Sequence, residues 1–319
     1  MKNKLRIVFM GTPEFAVGIL EALVHSKHEV VGVVTVADKP AGRGQQIQQS
    51  AVKQYALSNE LTVLQPDKLR DSTFLEELEG LKADLFVVVA FRMLPDAVWK
   101  MPALGTINLH ASLLPKYRGA APINWAIMNG ESETGVSTFF INENIDTGAI
   151  IAQKSISLSN NINAGELHDQ LKSIGAILTV ETADQICAGV VSTIEQDPSD
   201  TNLPFAPKIF KADCEIDWNE SAETNHNRIR GLSPYPAAWC KLWSVKKSNW
   251  ITFKLFGSSI ITIDQVKRND GPFSTPDGIV FPCETGFIIL KEIQAEGKKR
   301  MDYKSFLAGN DLNDLSFIP

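Results

Sequence analysis

An amide, an imidazole and a carboxylate lie close together near the middle of this sequence. Asn108 and His110 are two residues apart, and Asp146 begins an Asp-Thr-Gly run further along. Together, these groups can stabilise an oxyanion and move a proton during acyl transfer. No Ser or Cys stands in the Gly-x-Ser-x-Gly context of an activated nucleophile. We therefore expect direct transfer between two bound substrates, without an acyl-enzyme.

The spacing of these residues predicts how they meet. Asn108 and His110 come at the end of an apolar segment with the pattern of a strand, so their side chains point to the same side. Ligands of open parallel sheets bind at the carboxyl ends of strands. Asp146 stands in a turn that ends in glycine, where its carboxylate can orient the imidazole. The alternative is that Asn108 and His110 only satisfy backbone groups of nearby loops.

The first part of the chain alternates strand-like and helix-like segments. Buried strands are predicted at Leu5–Met10, Val30–Val36, Leu85–Ala90 and Thr106–Leu109. Helices are predicted at Pro13–His25, Asp71–Glu79 and Ala164–Gly189, the first with Thr12 as its cap and Pro13 in its first turn. Continuous apolar strands separated by helices indicate a mostly parallel sheet that is covered on both faces.

The pattern changes after a segment that is rich in proline. Short alternating runs follow at Ile251–Phe256, Ile260–Val266, Gly278–Phe281 and Gly286–Leu290, and predict a small antiparallel barrel. The expected fold class is α/β, with an N-terminal Rossmann-like domain and a smaller C-terminal, OB-like β-barrel. We expect a catalytic domain at residues 1–189, an extended linker at 190–207 and the second domain at 208–319.

Composition narrows the class of protein. The chain has 319 residues, 44% hydrophobic and 21% charged, with a formal net charge of -6. From Lys208 onward 15 Lys and Arg face 14 Asp and Glu, so the first domain carries the negative charge. This asymmetry permits a polyanionic partner at one end, although ordinary surface charge explains it equally well. There is no signal peptide or membrane-spanning pattern, so we expect a cytoplasmic protein.

The cysteine spacing argues against a structural metal site. Thiolate ligands of zinc come in closely spaced pairs, whereas the four cysteines here lie far apart, at Cys187, Cys214, Cys240 and Cys283. We expect them to be reduced and mostly buried, and we expect no metal.

Two motifs identify a family resemblance. The run from His110 to Ile123, which contains Ser-Leu-Leu-Pro-Lys-Tyr-Arg-Gly, resembles the signature of the formyltransferases that use 10-formyltetrahydrofolate. Asp146-Thr147-Gly148 resembles their downstream Asp-x-Gly element. Three further pieces are similar to the branch of this family that acts on methionyl-tRNA: Phe9–Phe15, Asp38–Gly44, and Ala212–Trp218 together with Ile229–Trp239. The resemblance covers nearly the whole chain and weakens beyond about Trp250.

The resemblance implies a role for each matching residue. Asn108 donates to the formyl oxygen, and His110, polarised by Asp146, stabilises the tetrahedral oxyanion. Asp146 passes the proton of the attacking amine toward N10 of the folate, through a water. The folate pocket is lined by Ser112, Leu113, Leu114 and Pro115. The implied substrates are 10-formyltetrahydrofolate and methionyl-initiator tRNA, and we expect a monomer.

Basic residues provide the expected tRNA contacts. Arg43 stands between two glycines in the Asp38–Gln46 loop and offers a forked donor to phosphate or base. Members of this branch often have lysines where Gln45 and Gln46 stand, which weakens nonspecific attraction to phosphate here. In the second domain the candidates for contacts to the tRNA backbone are Lys298, Lys299 and Arg300, whereas Lys246 and Lys247 fit a solvated turn better.

Other functions remain open on the sequence alone. Sugar-nucleotide formyltransferases resemble the chain through the same Ser-Leu-Leu-Pro segment and also carry a small C-terminal domain. The Asp38–Gly44 segment favours tRNA. A noncatalytic tRNA-binding module is disfavoured because Asn108, His110 and Asp146 are all present. A dinucleotide site at Gly11–Glu14 is disfavoured because Gly-x-Gly-x-x-Gly is absent.

Overall fold

A computed structural model describes residues 3–41, 46–197, 202–261 and 271–318 of the chain. The α-helices in chain order are α1 (Glu14–Val24), α2 (Ala51–Ser58), α3 (Ser72–Gly80), α4 (Asp96–Trp99), α5 (Pro122–Met128), α6 (Ala164–Ala188), α7 (Ala222–Gly231) and α8 (Tyr303–Gly309). The strands are β1 (Arg6–Gly11), β2 (Glu29–Val34), β3 (Lys39–Ala41), β4 (Gln46–Gln48), β5 (Val63–Leu64), β6 (Leu85–Val89), β7 (Thr106–His110), β8 (Arg118–Gly119), β9 (Glu133–Phe140), β10 (Ile150–Ser157), β11 (Phe205–Ala206), β12 (Ala238–Ser244), β13 (Asn249–Ile261), β14 (Phe273–Thr275), β15 (Gly278–Pro282), β16 (Phe287–Ala295), β17 (Met301–Asp302) and β18 (Leu315–Ser316).

A seven-stranded sheet organises the first half of the chain. Its strand order is β10-β9-β7-β6-β1-β2-β5. The five strands from β7 to β5 run parallel to one another, and β9 is antiparallel to β7. Every residue of β6 is buried, as is all of β1 except Arg6. Strands covered on both faces need continuous apolar runs, and the predicted mostly parallel sheet is confirmed.

Helix α1 begins one residue later than the sequence predicts. Pro13, with φ -80° and ψ 175°, occupies the N-cap position, and the helix starts at Glu14. The predicted cap by Thr12 is wrong, since no side chain caps this end. The rigid ring of Pro13 sets the extended entry, while its carbonyl accepts the backbone N–H of Ala16 at 3.0 Å. The Glu14 carboxylate lies in the first turn, where it complements the helix dipole.

The chain divides into two compact units by packing. The first comprises Met1–Gly119, Glu133–Ile156 and His168–Phe205, and the second comprises Ala120–Ser132, Ser157–Leu167 and Ala206–Pro319. The boundaries that the sequence predicts at residues 189 and 207 divide the chain by function and not by packing. These compact units do not test them, so they stay a prediction. None of the described helices combines the length and the apolar character needed to span a bilayer.

The second unit contains an antiparallel sheet in the order β14-β15-β16-β13-β12-β18, with β17 paired to β16. The sheet curls until its ends approach: a methyl group at Gly271, just before β14, would lie 2.4 Å from the Leu315 oxygen of β18. The core includes Phe253, Phe281 and Leu290. The predicted antiparallel β domain is therefore confirmed.

One predicted strand break in this sheet is wrong. The sequence predicts separate strands at Ile251–Phe256 and from Ile260 onward, but β13 runs without interruption from Asn249 to Ile261. Gly257 adopts φ +58°, and the pairing continues from Phe256 with Glu292 to Ser258 with Leu290. The long strand β16 pairs with β13 on both sides of Gly257, so this glycine causes an irregularity in the pairing and does not end the strand.

The cysteines are thiols, as predicted. Cys214, Cys240 and Cys283 are buried and Cys187 is half-buried. Burial raises the pKa of the Cys240 thiol, which keeps it in the neutral form.

Buried His226 makes the stability of the second unit depend on pH. Its Nε2 donates to the Asn160 carbonyl at 2.9 Å, and its Nδ1 accepts from the Ser258 hydroxyl at 2.8 Å. Burial lowers the pKa of His226 below its usual value of 6.5. The folded state therefore binds fewer protons than the unfolded state, and this contribution to stability is lost as the pH falls below about 6.5. We expect the urea midpoint to drop between pH 7.5 and pH 5.5, and to drop less in His226→Gln. An equal drop in both proteins would assign the effect to other groups.

Candidate active site

Strand β7 presents Asn108 and His110 on one side at its carboxyl end. The strand lies between β6 and β9, and His110 pairs with Ser137 of β9. The side chain of Asn108 is half-buried and its amide forms no hydrogen bond to the described residues. His110 is 7% exposed. Strand geometry thus places an available amide donor beside an imidazole in a nearly dry environment.

Asp146 reaches this pair from the turn between β9 and β10. Its Oδ2 lies 3.7 Å from Nδ1 of His110, and it accepts the backbone N–H of Gly119 at 2.9 Å. Asp146 has φ +54°, a left-handed conformation that costs a residue other than glycine about 1–3 kcal/mol. The structure brings Asp146 and His110 together, as the sequence predicts, while their catalytic roles stay a prediction.

The hydrogen bond of Nε2, the second ring nitrogen of His110, shows which ring nitrogen carries a hydrogen. Nε2 lies 2.8 Å from the backbone oxygen of Tyr117. A carbonyl only accepts, so Nε2 carries a hydrogen and donates it. Nδ1 is then the nitrogen on the side of Asp146, and 3.7 Å exceeds a direct hydrogen bond. One nitrogen of His110 thus satisfies a loop backbone group, as the alternative interpretation proposed, and the other remains available for chemistry.

Side chains of strands β9 and β10 hold the loop that follows β7. The hydroxyl of Ser137 donates to the Ser112 oxygen at 2.6 Å and accepts the N–H of Leu114 at 3.0 Å. Nε2 of Gln153 donates to the same hydroxyl at 2.7 Å and to the Leu114 oxygen at 2.9 Å. The loop therefore has a defined conformation before any ligand binds.

The four residues predicted to line a folate pocket differ in exposure. Ser112 is fully buried and its hydroxyl donates to the Lys116 oxygen at 2.7 Å. Leu114 is 3% exposed and packs with Phe139 and Ile150. Leu113 and Pro115 are half-buried. The buried pair shapes the loop, and the other two side chains are accessible to a ligand.

The candidate tRNA contacts lie in two places. Arg43 and Gln45 fall outside the described residues, which include the antiparallel strands on either side, Lys39–Ala41 and Gln46–Gln48. Lys298 and Lys299 are exposed in the connection between β16 and β17. The guanidinium of Arg300 pairs with Glu292 and lies 4.1 Å from the centre of the Phe256 ring. The structure orients Arg300 and offsets part of its charge.

Sequence reasoning missed two backbone groups that form hydrogen bonds with His110 and Asp146. They are the carbonyl of Tyr117, in the loop after β7, and the backbone amide of Gly119, at the end of the short strand β8. Tyr117 has φ +59°, and its own N–H donates to the Pro204 carbonyl at 2.7 Å. Every residue has a backbone carbonyl and every residue except proline has a backbone N–H, so no pattern of side chains could have found these two groups.

One group of possible metal ligands occurs among the described residues. Ligand atoms of Glu14, His168 and Asp169 lie within 4.8 Å of one another. The ammonium of Lys172 already lies 2.7 Å from Glu14 and 3.5 Å from Asp169. Both carboxylates are exposed and a lysine balances them, so we assign no metal to this group.

Family models match both parts of the chain. A model described as formyl transferase matches residues 5–183, and one described as formyl transferase, C-terminal domain, matches residues 208–311. Together they span most of the sequence, including every residue of the candidate active site. The fold also resembles solved enzymes. An N-formyltransferase from Helicobacter canadensis, in complex with folinic acid and dTDP-3-aminofucose, has a TM-score of 0.65 at 22% identity, over 90% of this chain and 98% of that chain.

Full-length relatives are much more similar in sequence. The methionyl-tRNA formyltransferase of Flavobacterium johnsoniae is 51% identical over 313 residues, 98% of this chain and 98% of the relative. That of Bacteroides fragilis is 48% identical over 318 residues, 98% of this chain and 97% of the relative. The identity extends over both compact units, and the fold and the motifs agree with it. The chain therefore belongs to the methionyl-tRNA formyltransferases.

Proposed function

We propose that this chain transfers the formyl group of 10-formyltetrahydrofolate to the α-amino group of methionyl-initiator tRNA, for translation initiation. Membership of the methionyl-tRNA formyltransferases supports the two substrates. The observation that carries the mechanism is the meeting of His110 and Asp146 beside an available amide on Asn108. These groups lie at the carboxyl end of a central strand, where ligands of open parallel sheets bind, and this supports placing the formyl carbon and the attacking amine beside them.

The chemistry requires two donors and one acceptor. As the amine attacks, negative charge grows on the formyl oxygen and a proton must leave the nitrogen. The Asn108 amide donates to that oxygen, and Nδ1 of His110 provides the second donor when it also carries a hydrogen. Asp146 receives the proton through a water and passes it toward the departing N10. No covalent enzyme intermediate is needed, because positioning and charge stabilisation provide the rate enhancement.

The loop after β7 is the proposed folate contact. Leu113 and Pro115 offer half-buried apolar side chains to the co-substrate. Ser112 and Leu114 act through the shape of the loop, since both are buried within the protein. Binding against a loop that Ser137 already holds costs little ordering entropy.

An assay of the acceptor tests the proposed function. The protein is incubated with 10-formyltetrahydrofolate and either methionyl-tRNA or an amino-sugar nucleotide. Formylation of methionyl-tRNA alone is expected. The sugar nucleotide is the alternative because the fold resembles that of sugar formyltransferases at low identity. Formylation of the sugar nucleotide alone would replace the proposed acceptor.

Arg43→Ala is expected to lower kcat/KM for methionyl-tRNA about tenfold to a hundredfold, while folate binding is unchanged. A bidentate arginine contact is worth roughly 1–3 kcal/mol, which corresponds to that range. Arg43 stands between Gly42 and Gly44 and offers a forked donor to phosphate or base. Formylation kinetics and a tRNA gel shift at two salt concentrations measure the loss.

Lys247→Ala is the matched control, because Lys247 is an exposed cation of the second unit. Its effect is expected to be smaller and to vanish at the higher salt, whereas the Arg43 effect persists if the side chain recognises geometry as well as charge. Unchanged tRNA kinetics in Arg43→Ala would make the loop a passive surface feature. They would also favour the sugar-nucleotide acceptor.

The same proposal assigns the parts of the chain. Residues 1–189 form the catalytic domain, 190–207 the linker and 208–319 the tRNA-binding domain, with Lys298, Lys299 and Arg300 as contacts to the tRNA backbone. The spans of the two family models, residues 5–183 and 208–311, support this division. The protein works as a monomer in the cytoplasm, where its charged tRNA substrate is made.

A further inference from the structure

The carboxamide of Gln196 lies at the centre of a hydrogen-bond network behind the Asp146 turn. Its Nε2 donates to the backbone oxygens of Asp146 at 3.0 Å and Gly148 at 2.7 Å. Its Oε1 accepts from Nε and Nη2 of Arg118 at 3.1 and 2.7 Å. Gln196 is 7% exposed, so these bonds form away from bulk water.

The chemistry of the partners allows the amide only one orientation. A guanidinium only donates and a carbonyl only accepts, so the oxygen must face Arg118 and the nitrogen must face the turn. Both hydrogens of the nitrogen and both lone pairs of the oxygen are used. A fully satisfied buried network of this kind holds one arrangement of the groups that it joins.

Backbone contacts fix Gln196 itself. Two residues earlier, Ile194 exchanges a pair of backbone hydrogen bonds with Ile150, both at 2.8 Å. Ile150 begins β10, the strand that follows the Asp146 turn. The side chain of Gln196 is thus anchored to the same sheet as the turn that it contacts.

The network controls the position of the Asp146 carboxylate from two directions. Gln196 binds the backbone of the turn, where Asp146 has φ +54°. Gly119, the neighbour of Arg118, donates its N–H to the carboxylate at 2.9 Å. Removing the amide would let a strained turn relax, and a displacement of about 1 Å at a reacting group can cost a factor of 100 in rate.

We propose that Gln196 is a positioning residue for formyl transfer, which holds the Asp146 turn so that the carboxylate stands beside His110. The inference rests on the proposed catalytic role of Asp146. It assigns a function in catalysis to a residue in the segment that the sequence predicts to be an irregular linker.

Gln196→Glu is the sharpest test, because it preserves the size of the side chain and replaces the two N–H donors with an oxygen. At pH 8 that oxygen faces two carbonyls, and kcat is expected to fall about 10-fold to 100-fold, with the KM of each substrate within about 3-fold of wild type. As the pH is lowered to 6, protonation of the new carboxyl restores one donor, so activity relative to wild type should rise. The new carboxyl also makes stability depend on pH, so activity is divided by the folded fraction measured by circular dichroism at each pH. A merely structural role would leave no pH dependence after this normalisation.

A double-mutant cycle tests whether Gln196 acts through Asp146. In an Asp146→Asn background, adding Gln196→Glu should lower kcat by less than about 2-fold, because the group that it positions is already inactive. Multiplicative losses would overturn the proposal. Gln196→Met, which removes the donors without adding charge, should lose activity without the recovery at low pH.

Two controls separate the possible failures. Gln185→Glu makes the same substitution in helix α6 of the same unit and should leave kcat unchanged. If Asp146→Asn keeps wild-type turnover, the proposed catalytic role fails. If Asp146→Asn is inactive while folded Gln196→Glu keeps wild-type kcat at every pH, only the positioning role fails. Should Gln196→Glu not fold, Arg118→Met removes the group that orients the amide and is expected to give the same non-additive loss with Asp146→Asn.

Discussion

Replacing Asp146 with asparagine is expected to lower the turnover number for formyl transfer about 100-fold or more. Asparagine keeps the shape and can still accept the Gly119 N–H, but it lacks the charge needed to take up a proton. His110→Ala and Asn108→Ala should each lose a similar factor, because each removes a donor to the developing oxyanion. Single-turnover rates at saturating methionyl-tRNA and 10-formyltetrahydrofolate measure the loss, and a folate titration should show a far smaller change in affinity.

Glu181→Gln provides the matched control for the loss of a carboxylate. Glu181 is exposed and its carboxylate pairs with Lys154 at 2.8 Å. Its substitution should change turnover by less than about 2-fold, since an exposed ion pair contributes at most about 1 kcal/mol. If Asp146→Asn retained near wild-type turnover, the proton would have to leave by another route and the mechanism proposed above would be wrong.

Gly148→Ala should cause a large loss of both stability and activity. A methyl group at this position would lie 1.7 Å from the backbone oxygen of Phe140, in a turn that is also bonded to β9 through Phe140 and Ala149. Overpacking typically costs about 1–3 kcal/mol when side chains can move, and a backbone oxygen has less freedom. We expect the free energy of unfolding to fall by about 3 kcal/mol or more, and formyl transfer to fall with the displaced Asp146. Urea unfolding and formylation rates measure both.

Gly80→Ala controls for the change in glycine content. Gly80 is the last residue of α3, and a methyl group there would have no neighbour within 4 Å. Alanine at a helical position is expected to be neutral or to stabilise by up to about 1 kcal/mol. Equal urea midpoints for the two variants would show that the turn at Gly148 adjusts easily, contrary to the tight packing described above.

The sequence predicted the central sheet well because burial on both faces leaves a strong signal. Every residue of Leu85–Val89 is apolar and buried, and neither turn chemistry nor solvent interrupts the run. Asn108 and His110 could be placed at the end of β7 for the same reason. The cap of α1 and the break in β13 were wrong, because Pro13 and Gly257 were judged from local preferences. The way the chain enters α1 from β1 determined the cap, and pairing with the long strand β16 kept β13 continuous.

The remainder of the candidate site could not be predicted from residue types. Tyr117 and Gly119 act through backbone atoms, and their role depends on how the loop folds back on His110 and Asp146. Gln196 stands in a proline-rich, polar stretch that is typical of a linker, and nothing in its neighbours indicates burial. Leu114 belongs to a motif that suggests ligand contact, yet its side chain packs against Phe139. Such assignments require the tertiary structure.

The hydrogen bonds that Ser137 makes to the loop after β7 affect which positions of this loop can change during evolution. Because Ser137 and Gln153 hold the backbone of that loop from within the sheet, its half-buried side chains can change while the backbone that carries them keeps its conformation. The proposed contacts of Leu113 and Pro115 with the co-substrate can therefore change while Asn108, His110 and Asp146 keep their geometry. A substitution of Ser137 would act in the opposite way, altering the shape of the whole loop at once. These hydrogen bonds thus separate the side chains of the loop, which can change, from its backbone, whose conformation must be kept.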